Sequence, residues 1–144
     1  EFNINTGGQL SLDDLLNSEQ SSITGPDKLS GFTSGSISGD ESWYFRGQLN
    51  YKKKLSNKLR LTPYVYGATG VSYTLTPTAT ENRATAARSI GLGLKMDGID
   101  NYFFDKNISA KVEYSKNWAT GVLEDVSDVR LNKQHLLVNL AMNF

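Results

Sequence analysis

The sequence lacks cysteine and is poor in histidine, proline and net charge, and each shortage excludes a class of protein. Without cysteine, the chain can form neither a disulfide nor a thiolate metal site. The single histidine, His135, makes a histidine-based metal cluster or catalytic dyad hard to assemble. Fifteen basic residues balance fifteen acidic ones, so no basic field attracts nucleic acid. We therefore expect no metal, no cofactor and no nucleic-acid partner.

Long apolar runs are also missing, because no stretch approaches the roughly 20 residues of a spanning helix. No basic and apolar secretion signal opens the chain, so we expect any leader to have been removed. The length of 144 residues is that of one domain, and thirteen Gly, seven Tyr and three Pro favour β structure. These averages do not exclude a membrane barrel, whose strands alternate apolar and polar residues.

Alternation with a period of two is the strongest pattern in the chain. It is clearest at the C-terminus, where one face carries Leu136, Val138, Leu140, Met142 and Phe144. Five earlier segments alternate in the same way: about 1–5, 43–52, 58–75, 89–96 and 108–115. Successive side chains of a strand point to opposite faces, so the pattern predicts six strands, each with one apolar side.

Connections between these strands alternate in length. Segments 13–41, 76–87 and 119–133 are long and polar, whereas 52–57 is a short basic turn. Outer-membrane barrels combine long extracellular loops with short periplasmic turns in this way. The opposite, polar face carries residues that we predict to line a lumen: Arg46, Arg60, Tyr64, Lys95, Lys111 and Glu113. A water-filled lumen accommodates such charges without pairing each of them. A soluble antiparallel sandwich remains an alternative, because it alternates too.

Several stretches carry a narrower resemblance. The last strand, HLLVNLAMNF, resembles the C-terminal signature of bacterial outer-membrane barrels, in which a terminal aromatic, here Phe144, is read by the assembly machinery. Residues 18–32 and 38–51 resemble the sixth extracellular loop and the following strand of two-partner secretion transporters, the TpsB family. LRLTPYVYGATG is similar to that family's Pro-x-x-Phe-x-Asp-x-Gly strand, and RSIGLGLKM and ISAKVEYSKNW to its penultimate strands.

The resemblance implies an all-β, antiparallel transmembrane β-barrel of sixteen strands in the bacterial outer membrane, preceded by POTRA domains. Residues 1–144 would be its last six strands, with loop 13–41 inserted. A closed bacterial barrel needs at least about eight strands, and bare strand edges are untenable in lipid. Because Glu1 also begins within a strand, we expect a fragment whose remaining strands lie upstream, although several chains could complete one barrel.

The resemblance further implies a non-enzymatic pore that secretes or activates a TpsA-like exoprotein and contacts outer-membrane lipid. Three alternatives stay open: an outer-membrane assembly insertase of the same superfamily, a soluble β-sandwich binding module, and an outer-membrane hydrolase. The hydrolase would use His135 as a base near Ser89 or Ser115, against the simpler interpretation of a polar-face histidine close to a strand end. No nucleophile elbow accompanies it.

In the family, the sixth loop folds into the barrel and its tip arginine pairs with an aspartate of the wall strand. Transferred residue by residue, the tip is Leu29, Ser30, Gly31 and Phe32. The wall motif is Pro63, Tyr66, Ala68 and Gly70. Ser30 occupies the arginine position and Ala68 the aspartate position, so both charges are missing together. We therefore expect neutral contacts from Phe32 and from the backbone around Gly31 to hold the tip.

This joint loss leads to a prediction about restoring the pair. Ser30→Arg alone should destabilise the fold more than Ser30→Arg combined with Ala68→Asp. A lone buried charge costs roughly 3–5 kcal/mol, whereas a matched pair can be nearly neutral. Thermal melts of the two variants measure the difference, and equal melting temperatures would refute the pairing of positions 30 and 68.

Overall fold

The computed structural model describes residues 1–13, 15–16, 18–56, 59–77, 83–98, 107–122 and 129–143. These residues form nine β-strands: β1 (Phe2–Gln9), β2 (Ser21–Ser22), β3 (Ser38–Gly39), β4 (Glu41–Asn50), β5 (Lys53–Ser56), β6 (Leu59–Tyr73), β7 (Ala84–Gly98), β8 (Asn107–Val122) and β9 (Val129–Asn143). Within these ranges, no helix is long and apolar enough to cross a bilayer.

One sheet contains all the long strands in the order β1-β4-β6-β7-β8-β9, and every neighbouring pair is antiparallel. The short strand β5 also pairs with β6, while β2 and β3 form a separate ribbon inside the long loop. The predicted all-β antiparallel fold is confirmed, with the six alternating segments present in chain order. β1 and β9 stand at the two ends of the order.

The predicted basic turn at 52–57 is wrong, because most of that segment continues the strand pairing. Lys53 and Lys54 of β5 pair with β6 in the same register that joins β4 to β6, and the register shifts between Lys54 and Ser56. The gap between β4 and β5 lies opposite Pro63. Tyr51 N donates to Pro63 O at 2.9 Å, but proline has no N–H to return the second ladder bond.

The apolar face of the sheet is exposed and the polar face is buried, which is the reverse of a soluble protein. The apolar side chains point away from the loop and stay exposed, as for Leu92 at 59% and Val138 at 67%. The polar face is covered, so Glu113 is only 1% exposed. A soluble sandwich would bury its apolar faces against each other, and the described strands do the opposite. The apolar faces therefore form a band suited to contact with hydrocarbon.

The buried apolar cluster lies between the long loop and the polar face of the sheet. Ile23 and Leu29 of the loop are fully buried there. They pack against wall residues of β6, β7 and β8, namely Tyr64, Tyr66, Ala68, Ala87 and Ala119. Phe32, Ile37 and Tyr44 pack around this cluster and are partly buried. The core of the described fold is thus the contact between loop and wall.

The loop seat as the candidate functional site

Small side chains on the polar face of the sheet create space for the loop. We call the surface formed by Ala68, Gly70, Ala87 and Ala119 the loop seat. A Cβ atom added at Gly70 would lie 3.1 Å from Ile23 Cδ1 and 3.3 Å from Leu29 Cδ1. Larger residues in the seat would therefore occupy the volume that these two loop side chains fill.

The loop backbone approaches the wall most closely at Gly31. A Cβ atom there would collide with the side chain of Asn117. Asn117 Nδ2 instead donates a hydrogen bond to Gly31 O at 2.7 Å. Glycine at this position therefore leaves free the space that the Asn117 side chain occupies when it contacts the loop backbone.

Ser30 lies between two buried charges of opposite sign. Its Oγ accepts a hydrogen bond from Arg46 Nη1 at 2.6 Å and donates one to Glu113 Oε1. Arg46 Nη2 lies 3.5 Å from Glu113 Oε2, and the two residues are 4% and 1% exposed. The expected neutral contacts at Gly31 and Phe32 are present, but the serine hydroxyl adds a contact with both members of an ion pair, which the sequence did not predict.

The carboxylate of Glu113 has two further partners. Tyr64 Oη donates to Glu113 Oε2 at 2.6 Å, and Lys111 Nζ lies 3.1 Å from the same oxygen. Lys111 thus brings a second cation to the site. A buried carboxylate needs such hydrogen bonds and positive charge to offset the loss of hydration.

The guanidinium of Arg46 is satisfied on every side. It donates to Lys28 O at 3.0 Å and to Gln48 Oε1 at 2.9 Å, in addition to Ser30. Its Cζ lies 3.7 Å from the ring centroid of Tyr66, a cation–π distance. The planar, forked guanidinium suits a site with several acceptors and an aromatic face.

The charges occupy other positions than the family pattern would give them. Arg46 lies on β4 directly opposite Ala68, the residue at the aspartate position of the motif. Glu113 lies on β8, two strands beyond β6 in the sheet. Both members of the pair are therefore on the wall, and the loop contributes the Ser30 hydroxyl and the Lys28 carbonyl but no charge.

A second chain of hydrogen bonds runs from β6 to the loop backbone. Tyr66 Oη and Ser89 Oγ are 3.1 Å apart, and Ser89 donates to Asn117 Oδ1 at 2.6 Å. Asn117 then reaches Gly31. Tyr66 has room to adopt this position because its cross-strand neighbour is Gly91, where a Cβ would collide with its ring.

Asp40 fixes the base of the loop. Its carboxylate accepts hydrogen bonds from Leu75 N at 2.8 Å, Leu15 N at 3.0 Å and Gln20 Nε2 at 3.2 Å. The hydrogen bond from Leu75, assisted by that from Leu15, lowers the pKa of the Asp40 carboxyl despite its burial. The ionised form of Asp40 therefore connects both ends of the loop to the segment that follows β6.

The model of the haemolysin secretion/activation protein family ShlB/FhaC/HecB matches residues 1–96. The chain belongs to this family. The matched range contains the long loop, the tip motif and the wall motif. Comparisons with curated proteins and with solved structures give no significant match. Members of this family are Gram-negative outer-membrane transporters, so the outer membrane supplies the hydrocarbon that the apolar band contacts.

The other predicted lumen residues lie toward the end of the sheet opposite the long loop. Arg60 and Lys95 are on the polar face of β6 and β7, and Lys95 Nζ lies 3.6 Å from Asp97 Oδ1. Pro63, in contrast, is exposed on the lipid-facing side, so the wall motif contacts the loop through its other three members. Phe144 lies outside the described residues.

His135 does not form a catalytic arrangement with the serines near it. It lies in mid-strand, so the prediction of a position close to a strand end is wrong. Ser115 is its cross-strand neighbour, but the serine Oγ contacts the backbone carbonyl of His135 at 3.4 Å. Within the described ranges, His135 Nδ1 has no hydrogen-bond partner and therefore no acid to orient the ring.

A polar cavity of about 280 Å³ opens on the lumenal side next to Arg46 and is lined by Asn3, Asn5, Asp27, Arg46 and Gln48. Its lining residues supply both hydrogen-bond donors and acceptors, and none of them has an apolar side chain. No group of three or more metal-ligating side chains occurs among the described residues. The site can therefore bind through hydrogen bonds and charge, which is the chemistry of a wet channel wall.

The ion pair predicts that loss of Glu113 destabilises the fold more than loss of Arg46. Glu113→Gln should lower the free energy of unfolding by about 3–5 kcal/mol, because Arg46 and Lys111 lose their carboxylate. Arg46→Met should cost less, because Lys111 still pairs with Glu113. The double variant should be milder than Glu113→Gln alone. Urea-induced unfolding in lipid vesicles measures this, with Lys95→Gln as the control, and additive losses would contradict the coupling.

Asp40 leads to a prediction about acid. A carboxyl whose pKa is lowered on folding stabilises the fold above its unfolded pKa of about 3.9, and this stabilisation is lost as the pH falls through the lowered value. Asp40→Asn should therefore cost about 1–3 kcal/mol at pH 7. The difference from the parent protein should shrink steadily below about pH 4. Hydrogen exchange at the backbone amides of Leu15 and Leu75, measured in both proteins at several pH values, reports this difference. The exposed loop residue Asp27, changed to Asn, is the control, and a pH-independent difference would contradict the assignment.

Proposed function

We propose that the chain forms part of an outer-membrane pore that secretes or activates a partner exoprotein, and that loop 13–41 occupies the lumen and controls the path. The observation that carries the proposal is the contact of the loop tip with the polar wall through Ser30, Arg46 and Glu113. The match to a haemolysin secretion/activation family favours secretion over the insertase of the same superfamily.

The loop can leave this position without stranding a charge. When Ser30 moves away, Arg46 and Glu113 still face each other on the wall, and Lys111 remains beside them. A tip arginine paired with a wall aspartate would instead separate two buried charges, at a cost of roughly 3–5 kcal/mol. In this chain, displacement breaks hydrogen bonds of Ser30 and Gly31 and exposes two apolar side chains.

These contacts are still strong enough to keep the loop in place at rest. Hydrogen bonds to charged groups contribute about 1.5–3 kcal/mol each, and burial of a side chain such as Ile23 or Leu29 contributes about 1.5–3 kcal/mol. Spontaneous opening is therefore rare. We infer that a binding partner supplies the energy, and the entering exoprotein is the partner that this family implies.

The vacated wall suits an unfolded polypeptide. Beneath the loop, hydroxyl, amide and charged groups such as Tyr66, Ser89 and Asn117 lie beside the small side chains of the loop seat, which offer little apolar area to a passing chain. Toward the periplasm follow Arg60, Lys95 and Lys111. A hydrated polar surface exchanges hydrogen bonds with a moving backbone at little net cost.

A reversible crosslink tests whether the loop must move. These 144 residues contain no cysteine, so Gly31→Cys with Asn117→Cys introduces a single possible pair within them, at a direct contact of loop and wall. In the full transporter, oxidation should abolish exoprotein secretion and lower single-channel conductance in planar bilayers. Addition of a reducing agent should restore both.

The single variants Gly31→Cys and Asn117→Cys, oxidised in parallel, are the matched controls and should respond to neither treatment. Secretion at the parent rate by the crosslinked protein would overturn loop control. A parent protein that conducts no ions and secretes no exoprotein would overturn the pore itself.

A further inference from the structure

Two cationic side chains of β7 and β8 lie on the lipid-facing side of the barrel wall. Arg88 on β7 and Lys116 on β8 alternate with inward residues, as do the exposed apolar residues Ile90 and Tyr114 of the same strands. Both cations are exposed. A charge on this face is unusual, because most neighbouring positions contact hydrocarbon.

Neither cation has an acidic partner. Among the described residues, no carboxylate within salt-bridge distance of Arg88 or Lys116 is found, and the outward positions of β7 and β8 carry no Asp or Glu. The lumenal cations Arg46, Lys95 and Lys111, in contrast, each have a carboxylate within 4 Å. The two outward cations therefore present uncompensated positive charge to the membrane.

The register brings these two side chains together around a tryptophan. Arg88 is directly opposite Trp118, and Ile90 is directly opposite Lys116, so Arg88 and Lys116 are diagonal neighbours. Diagonal positions on an antiparallel pair are about 7–8 Å apart, within the reach of long side chains. Lys116 Nζ lies 5.4 Å from the Trp118 ring centroid. We call Arg88, Lys116 and Trp118 the cationic patch.

The depth of the cationic patch matches the extracellular edge of the apolar band. Below it on the same two strands follow Leu92, Leu94, Met96 and Val112, all outward and exposed. A cation at the bilayer midplane costs about 2–4 kcal/mol, but one near the interface costs only about 0–1 kcal/mol. Tryptophan is typical of the interface, where its ring lies at the level of the headgroups.

We propose that the cationic patch binds the phosphate of a phosphorylated glycolipid in the extracellular leaflet of the outer membrane. The forked guanidinium of Arg88 and the ammonium of Lys116 are complementary to phosphate oxygens. Trp118 contacts the sugar part of the lipid, and the apolar residues below contact its acyl chains. The site is independent of the pore: it lies on the opposite face of the sheet from the loop seat.

Thermal unfolding of the full transporter in detergent micelles tests this assignment with a purified phosphorylated lipopolysaccharide as the probe. The parent protein should gain melting temperature on titration with this lipid and show no gain with the enzymatically dephosphorylated lipid. Arg88→Gln and Lys116→Gln should each weaken the apparent affinity about fivefold, and the double variant about thirtyfold.

Lys95→Gln, on the lumenal face of β7, is the matched control and should keep the parent response. Arg88→Lys and Lys116→Arg keep the charge, and both should retain most of the affinity, so the test does not depend on variants that fold poorly. Equal responses of the parent and the double variant, or an equal gain with dephosphorylated lipid, would overturn the proposal. Saturation by millimolar inorganic phosphate would also overturn it, because the patch would then be a general anion site.

Discussion

The rest of the described structure depends on the buried ion pair of Arg46 and Glu113, which the long loop covers. Arg46 and Glu113 lose their hydration when the loop covers them, and burial of either one alone would be strongly unfavourable. Ser30, Tyr64, Gln48 and Lys111 replace the missing water with hydrogen bonds and charge. The loop and the pair are therefore interdependent: the loop excludes water, and the pair provides the polar partners that let the loop tip be buried.

The fold places its apolar surface on the outside and its polar surface under a loop. This distribution is unstable in water and stable in a membrane, because hydrocarbon replaces the second layer that a sandwich would supply. It also explains why the buried apolar cluster is small, with Ile23 and Leu29 against alanine and tyrosine residues of the wall. The membrane, rather than a protein core, covers most of the aliphatic side chains.

Because both charges lie on the wall, displacement of the loop breaks hydrogen bonds but does not separate the ion pair. In the family pattern the loop carries one charge of the pair, whereas here it carries a hydroxyl that bridges them. In the function proposed above, the wall stays electrostatically satisfied in either state of the loop. Removal of the loop then requires hydrogen-bond exchange and the exposure of two apolar residues, but no separation of charges.

The sequence alone determined the strands and their faces, because a period of two is a local property of the chain and needs no knowledge of distant contacts. It also placed Arg46, Tyr66 and Glu113 on the polar face. The tertiary structure decided which of these side chains meet. Ser30 and Glu113 are 83 residues apart on a loop and a non-adjacent strand, so their contact follows from the path of the loop across several strands. The pairing beyond Tyr51 and the role of Asp40 were likewise set by neighbours in space, since hydrogen-bond partners far along the chain leave no periodic trace in the sequence.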